Sequence, residues 1–157
     1  SEKHPEVITP DEHDNVVVFW CGHGSKNRLA WGSDEVVHGY QIADLIQSMT
    51  YRKMLWSMDA CYSGSIGEAC EGIPGVLFIT AANAVETSKA DMRDPDMGIW
   101  LSNGFTRGFQ ETVDSNPDII LRDLYYELAR STVGSHATVY NVEYYGNMYK
   151  ESMNEYF

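Results

Sequence analysis

A histidine between two glycines, Gly22-His23-Gly24, follows the apolar run Val16–Trp20, and Cys61 follows a second such run, Met54–Met58. A thiol and an imidazole in equivalent turns are the makings of a nucleophile–base pair. The thiolate is the reactive form of cysteine, an ordinary thiol with a pKa near ~8.5 is mostly protonated at neutral pH, and a neighbouring imidazole can take the proton. Glycines beside His23 leave backbone N–H groups uncovered. The amides of Gly24 and Cys61 could therefore form an oxyanion hole, in which such donors contribute about 3–4 kcal/mol to the transition state. The turn Tyr62–Ser65 could add the positive end of a helix.

For that chemistry the two turns must meet, which requires their strands to be neighbours about 4.8 Å apart. Val16–Trp20, Met54–Met58 and Val76–Thr80 are continuous rather than alternating apolar runs, as parallel strands covered on both faces are. Between the first two, Ile42, Leu45, Ile46 and Met49 share one helical face over His38–Met49 and predict a β-α-β crossover. A second helix is expected over Trp100–Thr112 from Leu101, Phe105 and Phe109. A third is expected over Pro117–Arg130, with Asn116 as cap, Pro117 and Asp118 in the first turn, and Leu121, Leu124, Tyr125 and Leu128 as the buried stripe. Ala137–Val142 reads as a further strand, and Tyr144–Phe157 is unassigned. The pattern is an α/β sandwich with a mostly parallel sheet, whose carboxyl edge is where ligands and chemistry gather.

A Gly-His-Gly turn alone is commonly a tight connection, and a buried cysteine alone is commonly a small core residue. The matching strand-turn pattern and the crossover between the two make catalysis the better reading. Other residues carry less. Cys21 and Cys70 read as packing or incidental thiols; His4, His13, His38 and His136 as solvated or capping; Trp31, Trp56 and Trp100 as core or cleft wall. The spacing of Cys21, His23, Cys61 and Cys70 fits no structural zinc motif, so no zinc site is expected there, and acyl transfer by a thiol and an imidazole needs neither a metal nor an organic cofactor.

The 157 residues suit one domain, 1–157. A net charge of −12 disfavours nucleic acid and anionic lipid as partners, and no apolar run approaches the roughly 20 residues of a membrane span. The polar stretch Ser1–Asn15 has none of the marks of a signal peptide. Three cysteines cannot all be paired within the chain, and compartment is left open.

The motifs "GHGS" (Gly22–Ser25), "YRKMLWSMDACYSGS" (Tyr51–Ser65) and "FITAANAVETSKAD" (Phe78–Asp91), in this order, resemble the legumain family of cysteine peptidases in the caspase-like clan. Ser135–Tyr140 and "YYGN" (Tyr144–Asn147) extend the resemblance, while "DPDMGIWLSNGFTRGFQE" (Asp94–Glu111) is closer to the catalytic subunit of GPI transamidase, a relative. The resemblance implies a caspase-like three-layer sandwich, with His23 as general acid/base, Cys61 as nucleophile, Gly24 at the oxyanion, and Asp59 and Ser88 lining the primary specificity pocket. The family fold begins with strands before the histidine strand, and none is found in this sequence; the resemblance implies either an N-terminal chain of the same precursor, cleaved off and still bound as partner, or a sequence that covers only part of the domain. The expected function is a cysteine endopeptidase cutting after asparagine. The alternatives are cleavage after Arg or Lys, for which Asp91, Asp94 and Asp96 could supply charge, a transamidase or ligase, and a non-enzymatic binding module.

Overall fold

In the computed structural model the described residues are 9–31, 35–85, 93–94, 99–100, 104–132 and 134–157, with backbone alone at 31, 93, 94, 99 and 100. In chain order they form β1 (Asn15–Cys21), β2 (Gly24–Ser25), β3 (Arg28–Trp31), β4 (Glu35–His38), α1 (Gly39–Ser48), β5 (Lys53–Asp59), α2 (Ser63–Ala69) and β6 (Val76–Thr80). These are followed by β7 (Arg93–Asp94), β8 (Ile99–Trp100), α3 (Phe105–Ser115), α4 (Leu121–Ser131), β9 (Thr138–Tyr140), α5 (Val142–Tyr145) and a 3₁₀ turn, Met153–Tyr156. No helix among the described residues is long and apolar enough to cross a membrane.

The central sheet has the order β1-β5-β6-β9, parallel except for β9. Two of the three continuous apolar runs have the burial expected of covered strands, Met54–Asp59 and all of β6 being buried; the first differs, because β1 stands at one end of this sheet, where none of its residues is fully buried and Phe19 is 54 % exposed. Alternation along these strands divides the core in two. Leu55, Leu77 and Ile79 pack with Phe105 and Phe109 of α3 and Leu121, Leu124 and Leu128 of α4. Met54, Trp56, Met58, Val76 and Phe78 pack on the other side with Ile42 and Ile46 of α1 and Ile66 of α2. Each fully buried leucine contributes about 2 kcal/mol. Helices on both faces of a mostly parallel sheet make the α/β sandwich expected, consistent with a caspase-like fold.

Several boundaries differ from expectation. Glu35–His38 is the last strand of a small antiparallel sheet, β2-β3-β4, so α1 starts at Gly39; there the Gln41 side chain accepts the His38 N–H at 2.8 Å. Leu45 is 53 % exposed, because 100° per residue puts it about 60° from Ile42 on the side away from Ile46. In the second helix, Trp100 belongs to β8 and the helix starts at Phe105; Leu101 lies outside the described residues.

Asn116 caps no helix start; it ends α3, donating its N–H to the Thr112 carbonyl at 3.0 Å, and α4 begins only at Leu121. The N–H groups of Leu121 and Arg122 are taken by the carbonyls of Glu151 and Met148, at 2.9 and 3.0 Å. The tail therefore does what a capping side chain would otherwise do, and Pro117 and Asp118 are left in the connecting turn. The predicted stripe holds for Leu121, Leu124 and Leu128, with Tyr125 half-buried.

β9 is shorter than expected because Asn141 turns left-handed at φ 68°. Its buried side chain donates to the carbonyls of Ile73 and Val76 at 2.7 and 2.8 Å and accepts the Gly72 N–H at 2.8 Å, tying β9 to the loop before β6. On α2, the Ser63 hydroxyl meets the Ala82 carbonyl and amide at 3.3 Å, tying that helix to the end of β6.

Asn141→Ala would leave two buried carbonyls and one amide without partners, and it should lower unfolding free energy by about 3 kcal/mol in urea titration while fold and far-UV circular dichroism persist. A loss below about 1 kcal/mol would show that water replaces the side chain.

Candidate active site

The site follows from the register of β1 on β5. The ladder pairs Trp20 with Met58 and Cys21 with Asp59, and the Gly22 N–H extends it with a 3.1 Å bond to the Asp59 carbonyl. Both chains then leave the sheet together, with His23 two residues beyond Cys21 and Cys61 two residues beyond Asp59. The two turns are thus neighbours at the carboxyl edge of the sheet, as the β-α-β reading required.

Gly24 lies against the Cys61 turn. A Cβ built on it would stand 2.5 Å from the Cys61 carbonyl oxygen and 3.3 Å from the Ala60 Cβ, so only glycine fits. Gly22 differs: the nearest atom to a Cβ there is the Trp20 indole nitrogen at 3.9 Å. The two glycines around His23 therefore have different reasons, one of contact and one of mere tolerance. The His23 carbonyl accepts the Ala30 N–H at 2.9 Å, and Gly24 pairs with Leu29. Since hydrogen-bonded and non-hydrogen-bonded pairs alternate in an antiparallel ladder, the Gly24/Leu29 pair is of the second kind, and the Gly24 N–H stays outside the β2–β3 ladder.

Cys61 is half-buried and His23 exposed. Directly after the thiol, Tyr62 adopts a left-handed conformation, φ 55°, and α2 starts at Ser63. None of the three cysteines forms a disulfide. Their surroundings separate them. Cys70 is in the core, as the packing interpretation required, and burial, then the adjacent Glu71, push its pKa up to about 12. Cys21 is an exposed residue rather than a core one; partial burial of its thiol and the Asp59 carboxylate still raise its pKa, with the Thr106 hydroxyl acting in the opposite direction.

Asp59 is 8 % exposed, on the α3 side of the sheet, and its Oδ2 accepts a 2.6 Å hydrogen bond from the Thr106 hydroxyl in the first turn of α3. Sequence reasoning passed over Thr106. Its only signal is its place beside Phe105, once that residue is known to be buried in the core. Ser65, buried within α2, was likewise read only as part of a turn; its hydroxyl bonds to both candidate turns, donating to the Tyr62 carbonyl and accepting the Asn27 N–H. The structure thus brings His23, Gly24, Cys61 and Asp59 to one edge of the sheet. Ser88, Asp91 and Asp96 lie outside the described residues, as does the side chain of Asp94. Among the described residues no group of three or more His, Cys, Asp or Glu could hold a metal ion. The large cavity walled by Arg52, Lys53 and Tyr144 is at the opposite end of β5 and has no part in this site.

At pH 7.5 iodoacetamide should modify Cys61 well before the other two thiols, read by peptide-mapping mass spectrometry. With its pKa near 12, Cys70 holds a thiolate fraction on the order of 10⁻⁴ or less at that pH. Modification of Cys21 or Cys70 ahead of Cys61 would contradict the separation.

Comparison with known proteins agrees with this architecture. Residues 2–155 match the Peptidase C13 family. Over 148 residues the chain is 25 % identical to the GPI-anchor transamidase of Saccharomyces cerevisiae, covering 88 % of this chain and 36 % of that protein. It is 27 % identical to legumain of Mus musculus over 146 residues, 90 % of this chain and 33 % of that one. With the GPI-anchor transamidase of Bos taurus it shares 23 % over 131 residues, 79 % and 33 % of the respective lengths. The chain spans about a third of the length of these relatives. By its match over nearly its whole length, the chain belongs to the peptidase C13 family of cysteine peptidases and transamidases.

Proposed function

We propose that this chain carries the Cys61–His23 pair of a cysteine endopeptidase acting by acyl transfer. The observation that carries the reading is the β1–β5 register, which sets residues 23 and 61 at equivalent places beyond Cys21 and Asp59 with Gly24 against the Cys61 carbonyl. His23 takes the thiol proton and the sulfur attacks the scissile carbonyl carbon. The oxyanion is held by the amides of Gly24 and Cys61. His23 then gives its proton to the leaving amine, the C–N bond breaks, and a thioester remains on Cys61. Water, deprotonated by His23, attacks the thioester and restores the thiol.

Asp59 lines the pocket for the residue before the scissile bond; Ser88, the other residue the resemblance implies there, lies outside the described residues. A lone carboxylate favours arginine or lysine. The hydroxyl of Thr106 already donates to Asp59, which supports a carboxylate held ready for the amide of asparagine instead. A second reading, supported by the relatives named GPI-anchor transamidase, keeps every residue and replaces water by an amine. β1 stands at one end of the sheet described with residues 15–18 half-buried, which leaves room for a further strand beside it.

Paired fluorogenic peptides differing only at that residue, with and without an added amine, test the reading. The asparagine peptide should be cleaved faster than the arginine one; the reverse would replace the specificity and keep the chemistry. An amide product in place of the acid would move the assignment to transamidation.

Cys61→Ala should reduce turnover to background and His23→Ala by about 10²–10⁴-fold, whereas Cys21→Ser and Cys70→Ser should leave chemistry nearly intact. Hydrolysis by a folded Cys61→Ala protein would overturn the mechanism.

A further inference from the structure

We infer that Ser65 is a positioning residue that locks the turn carrying Cys61 to the turn carrying His23; the inference rests on the Cys61–His23 reading proposed above. Ser65 is in α2 and only 1 % exposed. Its hydroxyl donates to the Tyr62 carbonyl at 2.6 Å and accepts the Asn27 N–H at 2.7 Å. One proton and one lone pair are thereby used in opposite directions, so both bonds form at once. Tyr62 directly follows Cys61, and Asn27 is four residues beyond His23.

Backbone strain marks the same two places. Asn27, Tyr62 and Asn141 are the non-glycine residues with positive φ among the described residues, and the first two, at 61° and 55°, are both partners of the Ser65 hydroxyl. A left-handed tyrosine is disfavoured by its own Cβ and persists only where surrounding bonds over-determine it. The Ser65 hydroxyl is one such bond at Tyr62. Asn27 is fixed from the other side too, its carbonyl accepting the Gly39 N–H at 2.9 Å at the start of α1. The tip of the histidine hairpin is thus tied to both helices of one layer.

These ties act on the contact that matters for chemistry. Gly24, between His23 and Asn27, lies so close to the Cys61 carbonyl that no Cβ fits, and rotation of either turn would separate or crowd that pair. A displacement of about 1 Å between reacting groups can cost on the order of 10²-fold in rate. Ser65 therefore serves alignment of base, amide and nucleophile without touching substrate.

The test uses the purified active protein with a fluorogenic asparagine peptide. Ser65→Ala should lower kcat about 30–100-fold with KM changed less than about twofold, a split expected when alignment rather than substrate binding is lost. Ser63→Ala, an equally buried hydroxyl on the same helix bonded to Ala82 instead, should keep kcat within about threefold at a comparable fall in stability. In the Ser65→Ala/His23→Ala double variant the effects should be far from additive, since misalignment costs little once the base is gone. Should Ser65→Ala fail to fold, Ser65→Cys, of near-equal shape but poor hydrogen bonding, should show the same fall in kcat. Unchanged kcat in the folded Ser65 variant, or an equal fall in Ser63→Ala, overturns the positioning role. If His23→Ala itself keeps activity, the Cys61–His23 reading has failed instead, and the two failures are told apart.

Discussion

The hydrogen bond from the Gly22 N–H to the Asp59 carbonyl is the constraint on which the candidate site depends. It extends the parallel ladder between β1 and β5 beyond the last paired residues and fixes where both chains leave the sheet. Side chains alternate with period two, so a slip of one residue would move Asp59 to the other face and carry the whole of β5 with it, placing Leu55 among the α1 and α2 contacts. The two-sided core excludes this. Met54, Trp56 and Met58 fill one layer and Leu55 the other, and both sets are buried. The register is thus enforced along the full length of the strand, although its chemical consequence appears only at one end.

The two layers then contribute different things to that end. On the α1 and α2 side, the histidine hairpin and the Cys61 turn are joined through Asn27, Ser65 and Tyr62. On the α3 side, Asp59 meets Thr106. Asp59 and Cys61 are separated by a single residue, Ala60, which is itself buried among the α1 and α2 contacts. The position of the thiol is therefore governed by one layer and that of the carboxylate by the other. Packing changes in α3 should bear on Asp59 and its neighbour Cys21, while changes in α2 bear on Cys61.

Much of this was legible in the amino-acid order because continuous apolar runs mark parallel strands, although the run at Val16–Trp20 did not reveal that β1 lies at the end of the sheet described. Val16–Trp20, Met54–Met58 and Val76–Thr80 each lie within the observed strands, and the residue types just past the first two pointed to the edge where chemistry belongs. What was not legible depends on distant partners. Asn116 and Pro117 have the local chemistry of a helix start, yet α4 begins later because the Glu151 and Met148 carbonyls take its first N–H groups. The hairpin β2-β3-β4 was missed because its strands are short and carry no periodic apolar signal. Thr106 and Ser65 are small hydroxyl residues whose roles come from the one partner each meets across the fold, and no spacing rule contains that information.

The glycines around His23 show why residue type alone was an incomplete guide. Both looked like devices for baring backbone amides. Only Gly24 has a steric reason to lack a side chain, and that reason is the Cys61 carbonyl on the opposing turn. A bulkier residue there would push apart the turns that the β1–β5 ladder and the Ser65 hydroxyl draw together. The glycine is therefore better understood as the close contact between two catalytic candidates than as a flexible hinge. The same closeness keeps the Gly24 N–H, outside its own ladder, next to Cys61. Contact and amide are two aspects of one residue, so any substitution that relieves the first also displaces the second.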